Sequence, residues 1–149
     1  LSRRQVAVDV TAFPVEEGED AWSAADAWEQ FHEGGCPASM LTISSDGGGC
    51  LPVFDDHGEM VKMDFASSAG LPQTLQQLVS RGHRLEAILP SMTCNVAGLL
   101  RLPGKGRVEA GADADLLCLD ESFGVRHVMA GGRWMVQDGV PLVRGTFEG

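Results

Sequence analysis

Apolar and polar residues alternate from Gln5 to Phe13, where β-branched side chains dominate, and this predicts a strand ending at Pro14. The period then changes. Between Ala21 and Glu33, Trp22, Ala25, Trp28 and Phe31 recur at helical spacing, which predicts a helix whose aromatic face packs on a sheet. Gly34-Gly35 offers a C-cap for that helix. The next apolar run, Met40 to Ile43, is short and bounded by turn residues, as expected of a buried strand. Strand, helix and strand in this order predict one right-handed βαβ unit of a parallel sheet.

Beyond Gly49, Leu51–Phe54 and Glu59–Asp64 flank the turn residues Asp55-Asp56-His57-Gly58 and predict a hairpin. A helix is expected over Gly70–Val79, with Leu71, Leu75, Leu78 and Val79 on one face and Pro72 in the tolerant first turn. Gly82 ends it. Shorter helices are expected over Arg84–Leu89 and Val96–Leu100, the second capped by Thr93 or Asn95. Pro103-Gly104-Lys105-Gly106 marks a change to short strands at Asp115–Leu119, Val125–Ala130, Arg133–Val136 and Pro141–Val143. Gly131-Gly132 and Asp138-Gly139 are tight hairpin turns between them. The pattern therefore predicts an α/β part over residues 1–102 and an all-β part over 103–149.

A net charge of −10 argues against nucleic acid or an anionic membrane surface as partner, since no basic patch is present to neutralise phosphates. No apolar run approaches a membrane span, and Leu1-Ser2-Arg3-Arg4 does not lead into a signal-peptide core. The four cysteines, Cys36, Cys50, Cys94 and Cys118, fall singly and read as free thiols of a cytoplasmic protein. The acidic run Glu16 to Asp20 reads as a solvated loop. At 149 residues the chain can bury a core but is short for a complete α/β barrel. A first residue of Leu1, with helix-like character, leads us to expect a fragment.

The chemistry concentrates in Met40-Leu41-Thr42-Ile43-Ser44-Ser45-Asp46-Gly47-Gly48-Gly49-Cys50. A buried strand stops at a carboxylate and hands over to a glycine loop, which is where α/β barrels place their chemistry. An Asp before Gly is also an ordinary turn residue. His32, His57, His83 and His127 show no H-x-H or H-x-x-x-H spacing, so no zinc site can be drawn from them, and each reads as a surface or structural histidine. There is no G-x-S-x-G elbow, and Gly47-Gly48-Gly49 lacks the Lys-Ser/Thr of a phosphate cradle. Asp46 is competent as general base or ligand, yet either job needs neighbours the sequence does not place beside it.

Three stretches together resemble the amidohydrolase superfamily: Ser44 to Gly49 at a strand end, Leu85 to Ala97, and the Gly104 to Leu116 turn and strand. Val8 to Thr11, Leu51 to Gly58 and Val143 to Glu148 resemble the isoaspartyl dipeptidases within it, so the likeness runs from about Val6 to the C-terminus. It implies the last βα units of a TIM-like (β/α)8 barrel followed by part of a small β-sandwich. It further implies hydrolysis of β-aspartyl dipeptides with two zinc ions, and a homo-oligomer. Asp46 falls on the aspartate that ends the eighth strand, implied as zinc ligand and as general base toward the attacking water. Gly49 and Cys50 fall on the substrate loop. Cys50 stands where the family usually has a serine that helps hold the substrate carboxylate, and a thiol is the poorer donor.

The other metal ligands would then belong to earlier strands. Open sheet edges lead us to expect that the isolated chain folds poorly, binds no zinc pair and is inactive. Two other readings stand beside this one: an amidohydrolase acting on a cyclic amide, as dihydroorotases and hydantoinases do, and a non-catalytic stand-alone module.

Overall fold

The computed structural model describes residues 6–15 and 21–144. The acidic run from Glu16 to Asp20 lies outside them, as do Gln5 and most of the Val143 to Glu148 ending. The fold is mixed α/β and divides into two compact units, Leu1–Met92 and Thr93–Gly149.

The first unit begins with the expected strand, helix and strand. β1 (Val8–Thr11) and β2 (Leu41–Ser44) pair in parallel, with Val8 opposite Leu41 and Thr11 opposite Ser44, and α1 (Ala24–Glu33) connects them. Leu41 and Ile43 are buried and supply the apolar centre of this unit together with Trp28, Ala24 and Ala25 of α1. Burying a side chain the size of Leu or Ile contributes about 1.5–3 kcal/mol, so Leu41 and Ile43 are a sizeable share of what fixes β2 in this unit.

α1 starts later than its periodicity suggests. Ser23 and Asp26 form a capping box: the Ser23 hydroxyl accepts from the Asp26 amide at 3.2 Å, and the Asp26 carboxylate accepts from the Ser23 amide at 3.2 Å. Trp22 therefore precedes the helix and is 65% exposed, a correction to its expected place on the core face. Phe31 is half-buried and Trp28 is buried, so the aromatic face exists but is narrower than expected. The helix closes at Gly34, and Gly35 takes a φ of 66°, the left-handed conformation glycine adopts most easily.

β3 (Cys50–Phe54) and β4 (Met60–Phe65) form the expected antiparallel hairpin, with a register shift between Val53 and Phe54. The Asp55 carboxylate closes its turn by accepting from the His57 and Glu59 amides, each at 2.9 Å. α2 (Gly70–Ser80) buries Thr74, Leu75 and Leu78. It is followed by α3 (Leu85–Ile88), with Ile88 fully buried, and a 3₁₀ turn over Leu89–Met92.

The ends of α1 and α2 are tied electrostatically. Arg81 lies 2.8 Å from Asp26 and 2.7 Å from Glu29, and His83 Nε2 lies 2.7 Å from Glu29. Trp28 lies against His32, with ring centroids 3.9 Å apart and planes tilted by 31°, and meets His83 edge-on at 4.8 Å. The indole Nε1 of Trp28 is buried and has no hydrogen-bond partner among the described residues.

The second unit carries α4 (Cys94–Leu99) and an antiparallel meander of β5 (Leu116–Leu119), β6 (Val125–Ala130), β7 (Arg133–Gln137) and β8 (Val140–Pro141). Thr93 occupies the N-cap position of α4. The two tight turns match the sequence: Gly131 and Gly132 have φ of 55° and 76°, Asp138 and Gly139 of 51° and 77°, as type I′ turns require. Asp115 braces the first of these by accepting from the Gly131 amide at 2.6 Å, and Lys105 pairs with both Asp115 and Asp113. Among the described residues no helix is long and apolar enough to cross a membrane.

The α1–α2 tie makes stability depend on pH. Hydrogen bonds from Ser23 and then Arg81 hold the Asp26 carboxyl below its ordinary range, and a hydrogen bond from His83, then Arg81, does the same for Glu29. Depressed carboxylates contribute stability that is present above their ordinary range and disappears as pH falls through the lowered values. Arg81→Met should therefore lower Tm by a few degrees at pH 6–7, an amount typical of partly exposed pairs. The gap to wild type should close as pH falls below about 4. A gap constant from pH 7 to 3, measured by calorimetry, would contradict the tie.

Candidate active site

The two parallel strands end together, and one further bond, from the Ala12 amide to the Ser44 carbonyl at 2.7 Å, continues the ladder past Thr11. Ser45 and Asp46 come next. Asp46 takes a φ of 47°, in the left-handed region that Asp tolerates better than most residues. The Gly49 amide donates back to the Asp46 carbonyl at 2.7 Å and closes a four-residue turn. That turn is fastened by two bonds to Ala66, just past the hairpin: the Gly48 amide donates to the Ala66 carbonyl at 2.9 Å, and the Ala66 amide to the Gly49 carbonyl at 2.9 Å. The Gly47 amide donates to Ser45 Oγ at 3.2 Å. Asp46 is thus an exposed carboxylate on a turn whose backbone is tied to its surroundings.

Gly49 has a specific reason to be glycine. A Cβ built there would stand 2.5 Å from Asp46 Oδ2, 2.7 Å from Cγ and 2.9 Å from the Asp46 carbonyl oxygen. The Asp46 side chain therefore lies over the Gly49 backbone. From sequence, the Gly47 to Gly49 run suggests close approach of the loop to a ligand; in the structure, the close approach at Gly49 is to Asp46 itself. Cys50 opens β3, opposite Phe65, and its side chain is exposed. Asp46, Gly49 and Cys50 are therefore brought together within one turn and the first strand residue after it.

The histidines are not. His32 Nδ1 bonds the Trp28 carbonyl at 2.8 Å, His83 bonds Glu29, and His57 sits in the hairpin turn. His127 Nδ1 accepts from the Asp138 amide at 3.2 Å. Among the described residues no group of three His, Cys, Asp or Glu side chains is placed to hold a metal ion. The Asp46 carboxylate is a suitable oxygen donor for zinc, but it is one ligand, and the described residues do not make a complete metal site.

One arrangement at this strand pair is not anticipated by the glycine-loop motif. Asp9, in the middle of β1, accepts from Thr42 Oγ1 through Oδ1 and from Ser44 Oγ through Oδ2, both at 2.6 Å. The alternation of polar residues at 9 and 11 on one strand and 42 and 44 on the other is its sequence signal, legible once the register is known.

No family model matches the chain. The beta-aspartyl dipeptidase of Fervidobacterium islandicum AW-1, solved in complex with β-Asp-Leu dipeptide, is 32% identical with a TM-score of 0.82 over 97% of this chain and 37% of its own. A second structure of a beta-aspartyl dipeptidase from the same organism gives 27% identity and a TM-score of 0.76, over 97% of this chain and 35% of its own. The N-acetylglucosamine-6-phosphate deacetylase of Thermotoga maritima shares the fold, with a TM-score of 0.60 and 16% identity over 86% of this chain and 38% of its own. Among curated proteins, Adenine deaminase 2 of Agrobacterium fabrum is 33% identical over 82 residues, 54% of this chain and 14% of that protein. The chain spans little more than a third of the solved dipeptidases it matches. Across nearly its whole length, it resembles the beta-aspartyl dipeptidases of the amidohydrolase superfamily.

Proposed function

We propose that the chain is the part of a zinc-dependent β-aspartyl dipeptidase that carries its catalytic carboxylate, Asp46. The observation that carries this reading is the placement of Asp46 on a fastened left-handed turn just past two parallel strands, in a chain similar to a dipeptidase solved with β-Asp-Leu. In this reading residues 1–102 are the last βα units of a (β/α)8 barrel and 103–149 are strands of a β-sandwich domain. The further ligands of a two-zinc site come from sequence outside these 149 residues.

Asp46 would hold one zinc through its carboxylate, and the bound zinc would polarise the scissile carbonyl and lower the pKa of the attacking water. Asp46 accepts the proton as the water oxygen bonds to the carbonyl carbon, and returns it to the departing amine as the C–N bond breaks. The turn supplies the positioning: Gly49 leaves room for the carboxylate, and the bonds to Ala66 hold the loop backbone. Cys50, next along the chain, offers the substrate carboxylate a thiol, a weaker donor than a hydroxyl. The resemblance also points to a cytoplasmic homo-oligomer acting on small dipeptides.

A second reading is favoured by the similarity to Adenine deaminase 2: hydrolysis at a ring carbon, on a cyclic amide or related heterocycle. The same carboxylate would serve that chemistry. Turnover of β-Asp-Leu, dihydroorotate and adenine by the zinc-loaded complete protein separates the two, and β-Asp-Leu should be the substrate by a wide margin. Preference for either ring compound would overturn the dipeptidase assignment.

Asn tolerates left-handed backbone as Asp does, so Asp46→Asn should keep the turn and the melting temperature while kcat falls by about 10²–10⁴-fold. Activity within about threefold of wild type would remove Asp46 from the mechanism.

Gly49→Ala should push the Asp46 carboxylate aside and lower kcat by at least about tenfold. Gly48→Ala is the control: a φ of 87° strains it, but nothing stands within 4 Å of an added Cβ, so it should cost stability of about 1 kcal/mol and little activity. Equal activity losses in the two variants would contradict the proposed role of Gly49.

A further inference from the structure

Asp is depleted in strand interiors, yet Asp9 sits in the middle of β1 between Val8 and Val10. Its carboxylate reaches across the parallel ladder to two residues of β2. Oδ1 accepts from Thr42 Oγ1 and Oδ2 from Ser44 Oγ, both at 2.6 Å, the short range of charge-assisted hydroxyl–carboxylate bonds. Thr42 and Ser44 are alternate positions on β2, so their hydroxyls emerge on the same face, and one carboxylate bridges both. Thr42 is only 4% exposed, so its hydroxyl is largely withdrawn from water and depends on protein acceptors.

The bridge stands directly before the Asp46 turn. Ser44 is the last residue of β2, and Asp46 lies two residues beyond it with left-handed backbone. Any rotation of the Ser44 peptide therefore swings the carboxylate of Asp46. On the far side, the turn is tied to Ala66; on the strand side, it is tied by the Ala12–Ser44 bond and by Asp9.

We infer that Asp9 is a positioning residue for Asp46, fixing the end of β2 through the hydroxyls of Thr42 and Ser44. The inference rests on the dipeptidase reading for its catalytic consequence but not for the tie itself. It assigns Asp9 no contact with substrate. A carboxylate is suited to the task because it accepts from two hydroxyls at once and fixes both rotors.

The test uses the complete protein and two readouts: amide hydrogen exchange of its metal-free form, and kcat and KM of its zinc-loaded form for β-Asp-Leu. In Asp9→Ala, exchange at residues 44–49 should accelerate by roughly tenfold or more while the rest of the protein and Tm hold near wild type. kcat should fall about 10- to 100-fold, as for other residues that orient a ligand from behind, with KM within about threefold. Asp9→Asn keeps one good acceptor and should recover a good part of kcat. Ser44→Ala removes one of the two bonds and should give a smaller effect of the same pattern, which decides the matter if Asp9→Ala does not fold. Unchanged exchange at 44–49 overturns the inference. So does a uniform rise in exchange with a parallel loss of Tm, which would make Asp9 a residue of general stability only. If the wild type does not hydrolyse β-Asp-Leu, the proposed function fails, and the exchange comparison still decides the tie.

Discussion

The in-register parallel pairing of Val8–Thr11 with Leu41–Ser44 is the constraint on which the rest of the first unit depends. Because successive side chains alternate across a strand, that register gives each strand two different faces at once. Leu41 and Ile43 point one way and are buried with Trp28 and the two alanines of α1. Thr42 and Ser44 point the other way and meet Asp9. A slip of one residue would exchange the faces, placing hydroxyls against the helix and the apolar pair beside a carboxylate. The register also makes both strands stop at the same level, so the chain leaves the sheet at Ser45 with a backbone whose direction is already set.

Past Ser45, local chemistry builds on that fixed strand end. Asp46 in the left-handed region turns the chain, the Gly49 amide closes the turn, and Ala66, just past the hairpin, clips it from the other side. The carboxylate lies over Gly49, where a Cβ would obstruct it. The backbone that carries this exposed carboxylate is thereby held by bonds on either side of the turn. Such restriction is what separates a positioned base or metal ligand from an ordinary turn aspartate.

Much of the fold is legible in the sequence because its determinants are local. The change from alternation to helical spacing at Ala21, the glycine pair at 34 and 35, and the two glycine-bearing turns of the meander each encode their own geometry. Trp22 shows where such reading stops: its spacing matches the helical face, but the Ser23–Asp26 capping box starts the helix beyond it, and caps outrank periodicity at helix ends. Asp46 is legible as a strand-end carboxylate. That Gly49 accommodates Asp46 itself depends on a side-chain rotamer, and that Asp9 bridges Thr42 and Ser44 depends on pairing residues more than thirty positions apart. Neither is encoded within a local window. The fold neighbours extend the same contrast, since a dipeptidase and a deacetylase share the architecture while the substrates they are named for differ.

Asp46 is proposed as the carboxylate that this chain contributes to a metal centre. The most direct measurement replaces zinc by cobalt(II) in the complete protein and compares the visible ligand-field spectrum of wild type with that of Asp46→Asn. Loss of a carboxylate ligand should shift the bands and change their intensity, and the metal-to-protein ratio at saturation should fall or its affinity weaken. Identical spectra and identical metal affinity in the two proteins would show that Asp46 does not touch the metal, and the account of the site would fail.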